Sequence, residues 1–554
     1  MPHENPRSFP LYEWFLLPET VGMTDPKEII GKILKSRGLL ETKERYHSPD
    51  LMTGIKPAVD RIVKALKDGE KILIHGDYDV DGIVASVLLF RFLKSAGANP
   101  LIFLPSRVGN GYGLALEAVE KASADGISLI ITVDCGIGDS ENIEIGKSRG
   151  IDFVITDHHK VPQSLPDVCA IVHPGLPDGK YPFDSLCGTV VAYKLIQSIA
   201  RELKIEINEK EYLPYLCLST ITDIMPLIDE NRWFIRDGIE AIHQGYAPHI
   251  ELLARAGGFQ LAQIGPRELG FHVGSRLNAP GRMQSPVLSA KFLMETDSKR
   301  MLKIAGQIEK LNHKRREIQD RLASQAVEKA RCEWDLPIHI LFDKEWHEGL
   351  IGTASARVVD LTGKPALLFT KGSNGSWKGS GRAPEGIDLY ALLHEFSGVM
   401  ENFGGHRSAC GLTISKDAFD NFRKGLIERV QSEFPDGFPI PGLDVTAELS
   451  EESITAPFAE DLKSLEPCGK GNPELLFQFE PLAVESAEFV GGGNHLKLQF
   501  KGRQRKYSGI LFKAGGVRIG QLINKKVAVI ATPMMNKFNG KEKLELFVKD
   551  IAPV

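Results

Sequence analysis

Four acidic runs hold the side chains best suited to chemistry: His75-Gly-Asp77-Tyr-Asp79-Val-Asp81-Gly82, Thr132-Val-Asp134-Cys-Gly136, Thr156-Asp157-His158-His159 and Thr222-Asp223-Ile-Met-Pro226. Carboxylates with a few imidazoles are hard-to-borderline ligands. They suit Mg²⁺ and Mn²⁺, and the imidazoles of His75 and His158 favour Mn²⁺. Two ions about 3.5–4 Å apart need a shared ligand, and Asp134, a lone carboxylate after an apolar run, is the natural bridge. Such a site hydrolyses phosphate esters without a protein nucleophile.

Three of the runs directly follow β-branched, apolar stretches (residues 71–74, 127–133 and 151–155), and a helix-like segment follows each. This is the βαβ pattern of a parallel sheet. In an open parallel sheet the ligand site lies beyond the carboxyl ends of the strands, where the chain places Asp77, Asp79, Asp81, Asp134, Asp157, His158 and His159. Spacing by two from His75 to Asp81 predicts that an extended segment points all four side chains one way.

Two plainer readings compete. Asp77-x-Asp79-x-Asp81-Gly82 opens like an EF-hand, but the twelfth position, which must be a bidentate Glu, is Leu88, and an apolar strand precedes the run where a helix is needed. Asp also caps helices, which suits one of these carboxylates but not all of them. Asp223 sits on a mostly apolar helix-like stretch, a costly place unless it is paired or metal-bound.

At 554 residues the chain needs roughly three or four domains. Hydrophobic residues make up 42%, charged residues 25%, and the net charge is −5, so any nucleic-acid contact must come from local patches. Seven scattered cysteines without a Cys-x-x-Cys fit a reducing cytosol. No apolar run reaches membrane-spanning length and Met1-Pro-His-Glu-Asn-Pro6 does not open like a signal peptide, so a cytoplasmic protein with no membrane anchor is expected.

The expected organisation is an N-terminal helical segment (1–65), an α/β domain with a parallel sheet (66–298), a long connecting helix (299–333) read as a solvated spacer, a smaller α/β domain (334–436) and, after a Pro/Gly-rich linker, a small β-barrel of the OB kind (441–554). In the last, Lys497, Gln499 and Lys501 alternate with apolar residues, and Arg503, Arg505, Lys506 and Tyr507 follow. That is either a strip for single-stranded nucleic acid or a solvated strand face.

The four runs, in this order, resemble the DHH phosphoesterase superfamily. Further stretches narrow the resemblance to its single-strand-specific exonuclease branch: residues 105–114, 188–195 and 274–282, then His347-Glu-Gly-Leu-Ile-Gly352, Gly379-Ser-Gly-Arg382, Gly404-Gly-His406 and residues 467–473. The second α/β domain thereby resembles the DHHA1 substrate-binding module. The resemblance implies one ion held by His75, Asp79 and Asp134 and another by Asp81, Asp134, His158 and Asp223. Asp77 supports or shares the site, Asp157 orients a histidine, and His159 meets a non-bridging phosphate oxygen.

It further implies in-line attack by a metal-bridging hydroxide on the first phosphodiester, with the 3′ oxygen leaving. A 5′-phosphate pocket around Ser380 and Arg382 follows, with Arg107, Arg276, Asn278 and His406 as further substrate-binding residues. The implied activity is 5′-to-3′ degradation of single-stranded DNA to mononucleotides in recombination and repair, with single-strand-binding protein and a helicase as partners. A small-nucleotide DHH phosphodiesterase and a catalytically silent replication scaffold are the alternatives.

Overall fold

The computed structural model describes all residues except 1–8, 41–44, 107–112, 373–374, 494, 504, 515–516, 518 and 539–540. The chain forms two compact units: residues 44–225 with 229–437, and residues 1–43 with 226–228 and 438–554.

The larger unit is built on an all-parallel five-stranded sheet. Its spatial order is Leu101–Phe103, Ile72–Gly76, Leu129–Val133, Asp152–Thr156 and Ala170–Val172. In chain order this is 2-1-3-4-5, a doubly wound sheet whose direction of winding reverses between its first and third strands. Ile72–Gly76 and Leu129–Val133 are buried at every position, as strands covered on both faces require. Ile130, Phe153 and Ile155 pack with Val119 and Ile143 from flanking helices. Pairing of Gly76 with Val133 and of Val133 with Thr156 brings Asp77, Asp134 and Asp157 level at the carboxyl ends.

The helix Ser298–Cys332 is capped by Asp297, whose side chain accepts the Arg300 N–H at 2.9 Å. It runs about 50 Å. It is more than a spacer: Met301, Ala305 and Ile308 are buried, while Leu322, Ala326 and Ala330 belong to the core of the following module with Leu341, Trp346 and Leu350. The expected solvated character fails because small and apolar residues recur on one side of the helix. Leu302, by contrast, is 62% exposed.

That module is a five-stranded mixed sheet, ordered Met400–His406, Ala409–Ile414, Trp377–Arg382, Ala366–Lys371 and His339–Phe342. Its helix Ile351–Thr362 packs on the sheet.

In the smaller unit, Phe477–Val490, His495–Lys501, Lys506–Leu511, Lys541–Pro553 and Lys526–Phe538 pair in turn, and Lys526–Phe538 returns to Phe477–Val490 to close a barrel. The N-terminal segment expected as independent helices is divided. Glu13–Leu16 is a strand paired in parallel with Gly442–Val445, and Ile29, Ile30, Ile33 and Leu39 enter the barrel core. The apolar face of Pro26–Ser36 needs a partner, and the barrel supplies it. Asp550, buried on the barrel, accepts the Leu11 and Tyr12 N–H groups and Trp14 Nε1 at 2.8–3.0 Å.

Tyr507 does not present its ring for stacking. It is buried, its hydroxyl donates to Glu451 Oε1 at 2.9 Å, and Arg505 is held by Tyr507 and the Ile454 carbonyl. Lys506 and Arg503 pair with Glu485 and Glu480. Among the described residues, no helix is long and apolar enough to cross a membrane.

Candidate metal centre and substrate loop

The first acidic run is not extended. The strand ends at Gly76 and a helix begins at Val80, with Asp79 as its N-cap accepting the Asp81 and Gly82 N–H groups at 3.0 and 3.3 Å. The side chains therefore diverge instead of sharing one face. Asp81, in the first helical turn, accepts the N–H groups of Gly188 (2.6 Å) and Thr189 (2.9 Å) at the start of the helix Gly188–Leu203. A helix N-terminus stabilises a carboxylate there.

Asp134 leaves the third strand with φ of +62°, in the left-handed region that non-glycine residues seldom adopt. That turn buries its carboxylate. A Cβ at Gly188 would stand 2.6 Å from the Asp134 Cβ, and one at Gly82 would stand 2.7 Å from the Asp77 Cα. Both positions must be glycine for the segments to converge.

Among the described residues, three groupings place ligand atoms within 4.8 Å of one another: Asp77, Asp79 and Asp134; Asp81, His158 and Asp223; and Asp134, His158 and His159. Asp134 belongs to two of them, and His158 Nε2 lies 3.0 Å from Asp134 Oδ1, 3.6 Å from Asp223 Oδ2 and 3.9 Å from Asp81 Oδ2. His75 falls outside these sets. It is fully buried, its Nε2 accepts the Ala115 N–H at 3.2 Å, and its Nδ1 stands 3.5 Å from Cys135 Sγ.

The electrostatics fit a dication site. Burial, then Asp81, Asp79, Asp77 and Asp223 in turn, pushes the Asp134 carboxyl well above the carboxylate range. Burial and Asp81 raise Asp79 likewise. A buried cluster of this kind is relieved by bound cations, and neutral imidazole is the ligating form. Burial holds His158 down to about 4 and so keeps it neutral. His159 goes the opposite way: burial opposes its charge, but the hydrogen bond and charge of Asp157 outweigh burial and raise the ring above its ordinary value. Asp157 in turn resists burial through bonds from His159 and the Ile137 N–H and sits at about 2.

The route from these acids to the second module is short. The Tyr78 carbonyl lies where a Cβ at Gly281 would stand 2.9 Å away, and the Arg282 carbonyl bears the same relation to Gly349, at 2.8 Å. Beyond Gly349 the helix Ile351–Thr362 begins. A Cβ at Gly352 would stand 2.8 Å from Ser380 Oγ and 3.4 Å from Arg382 Nη2. A helix N-terminus, a hydroxyl and a guanidinium thus meet, a combination suited to phosphate. His406 is exposed on the neighbouring strands, two positions across the sheet from Arg382. Asn278 is half-buried.

Arg276 is buried, with every guanidinium nitrogen engaged: Nε and Nη2 with Glu309, Nη1 with the His272 carbonyl and Nη2 also with that of Ala256. Arg107 lies outside the described residues. Sequence reasoning missed Glu309, and it missed Thr189 as the partner of Asp81. A Gly-Thr pair opening an apolar helical pattern was the available signal for Thr189.

The chain matches three family models: the DHH family N-terminal domain over residues 71–220, the DHHA1 domain over 335–432 and the RecJ OB domain over 445–550. It is 31% identical to the single-stranded-DNA-specific exonuclease RecJ of Dickeya dadantii, over 94% of this chain and 92% of that one. Against the RecJ of Bacillus subtilis it is 30% identical over 93% of this chain, spanning 66% of that relative's length. The crystal structure of RecJ from Thermus thermophilus in complex with Mn²⁺ superposes with a TM-score of 0.81 at 25% identity, over 97% of this chain and 79% of that one.

Proposed function

We propose, because the chain belongs to the RecJ family of single-stranded-DNA-specific exonucleases, that it degrades single-stranded DNA from the 5′ end and releases 5′-mononucleotides. The observation that carries this reading is the convergence of Asp77, Asp79 and Asp134 with Asp81, His158 and Asp223 into adjoining sets, with Asp134 of the first 3.0 Å from His158 of the second. These residues would hold two divalent ions, Mn²⁺ or Mg²⁺. When bound, the ions supply an activated water and neutralise the attacking and leaving oxygens.

The chain's own part is positioning. Asp134 and His158 fix the distance between the two ligand sets. His159, whose ring Asp157 orients and raises above its ordinary value, would offer a donor to a non-bridging phosphate oxygen. Ser380, Arg382 and the N-terminus of Ile351–Thr362 receive the terminal phosphate, which sets the polarity, and Asn278 and His406 line the approach. Arg276 is clamped by Glu309, with each guanidinium nitrogen engaged, so it would act on the substrate only by releasing that pair. A strand entering this way presents its first phosphodiester to the carboxylates. The closed barrel and the pair Ser380 and Arg382 on the strand Trp377–Arg382 favour a polymer over a dinucleotide substrate, and the intact carboxylate sets weigh against a silent scaffold.

In this reading the enzyme works in the cytoplasm, in recombination and repair, on strands exposed by a helicase and covered by single-strand-binding protein. The test is digestion of one oligodeoxynucleotide, labelled in turn at each end, with Mn²⁺ and with chelator. Immediate, metal-dependent release of labelled mononucleotide from the 5′ end is expected. Release from the 3′ end, or none with metal present, would overturn the assignment.

A further inference from the structure

The helix Ser298–Cys332 has a second side. Lys303, Lys310, Lys314 and Arg321 follow one another at intervals of seven, four and seven residues. At 3.6 residues per turn they fall within about 20° of a single line, and they span about 27 Å. The buried residues Met301, Ala305, Ile308, Asn312, Ala326 and Ala330 lie on the opposite side. All four basic residues are exposed, and none of them makes an ion pair among the described residues. Other basic residues on the same helix are held by partners, Arg316 by Glu309, Lys329 by Asp343 and Arg315 by Asn312 and Gln319, while Lys299 and Arg300 at its start also make no ion pair among the described residues. Glu317, the nearest acid on the row, is paired with His313.

The row also has a position relative to Ser380 and Arg382. Lys314 is close enough to His347 for its charge to act on that ring. His347 accepts the Gly349 N–H at 3.2 Å, and Gly349 leads into the helix that carries Gly352 beside Ser380 and Arg382. A basic row without ion pairs among the described residues, on a chain of net charge −5 and with its third member, Lys314, beside His347, is complementary to one kind of occupant: a polyanion with regularly spaced charges.

We propose that Lys303, Lys310, Lys314 and Arg321 form a track for the phosphodiester backbone of the substrate strand on the 3′ side of the bond being cut. The inference rests on the proposed function and extends it. Contacts are to phosphates only, so the track holds any sequence, and it engages only strands long enough to leave the cleavage site and reach the helix.

The full chain with all four residues changed to Gln, a good helix former, tests it, beside a control with the exposed Lys416 and Lys424 changed to Gln. Binding of a 20-nucleotide single strand is measured with chelator at several salt concentrations, and Mn²⁺-dependent cleavage of a 20-mer and of a 5′-phosphorylated trinucleotide is measured in parallel. The track predicts that the slope of log affinity against log salt falls by about 2–3, at roughly 0.7 per phosphate contact. It also predicts that kcat/KM falls at least tenfold for the 20-mer and less than twofold for the trinucleotide, with the control unchanged.

An unchanged slope, or equal losses on both substrates, would overturn the track while parent cleavage leaves the exonuclease reading standing. A parent chain that cuts neither substrate would overturn both. Circular dichroism and an intact trinucleotide rate show that the variant is folded.

Discussion

His159 and Asp157 are joined twice through one oxygen: the ring Nδ1 stands 2.8 Å from Asp157 Oδ1, and the His159 backbone N–H donates to the same atom at 3.1 Å. The second bond fixes the peptide and the first fixes the ring, so Nδ1 is committed to Asp157. The adjacent imidazole of His158 is buried and neutral. Two consecutive histidines are thus shifted in opposite directions by their surroundings.

Asp157→Asn should remove the anion that favours the protonated form of His159. Because Asp157 raises the His159 ring above its ordinary value, the change lowers it, and the loss of activity should grow as pH rises. We expect kcat to fall about 10²-fold at pH 8 and less at pH 6, with Mn²⁺ affinity within threefold of the parent. A pH–rate profile with parallel metal titration checks this; a loss independent of pH contradicts it.

Asp134→Asn should abolish cleavage while stabilising the metal-free chain. The buried Asp134 carboxyl is raised by burial and by four neighbouring carboxylates, so a neutral isostere relieves their repulsion. Thermal unfolding in chelator should occur roughly 2–4 °C higher than in the parent. The stabilisation that Mn²⁺ gives the parent should be largely lost, as calorimetry with and without the ion would show.

Arg382→Ala should act on the end of the substrate and not on its hydrolysis. A charge-assisted contact to phosphate contributes about 1.5–3 kcal/mol, so kcat/KM for a 5′-phosphorylated strand should drop by roughly 10- to 100-fold. The rate for the 5′-hydroxyl strand should change little, so the ratio of the two substrates is the measurement. Equal losses on both would contradict the pocket.

His339 offers a pH dependence remote from the acids. It is fully buried on His339–Phe342, neither ring nitrogen has a hydrogen-bond partner among the described residues, and burial followed by the Lys364 charge holds it at about 4. With an unfolded value near 6.5, its contribution is fully present above that pH and is lost as pH falls towards 4. Between pH 7 and 5 the parent should lose roughly 2 kcal/mol more than His339→Leu does. Denaturant unfolding of both chains at the two pH values measures the difference.

The parallel sheet was legible because its strands are short, β-branched and buried on both faces, so Ile72–Gly76 and Leu129–Val133 stand out as apolar runs without alternation. The acids at their carboxyl ends were legible for the same reason. How the ligands divide was not: the two-residue spacing from His75 to Asp81 assumes an extended chain, and the helix starting at Val80 breaks that assumption. Glu309 lay 33 residues from Arg276 on a helix rich in both charges, where no spacing rule selects one pair. The strand Glu13–Leu16 was hidden because its partner is remote in sequence and its own pattern is short.

That remoteness has a consequence for synthesis. The Leu11 N–H finds its acceptor on Asp550, 539 residues later. At roughly 5–20 residues per second, translation separates the two by about half a minute to two minutes. The larger unit can therefore assemble on the ribosome while the early segment still waits for its sheet. Placing a stalled or truncated nascent chain at residue 437 should leave Trp14 solvent-exposed, and only completion of the barrel would shift its fluorescence to the blue.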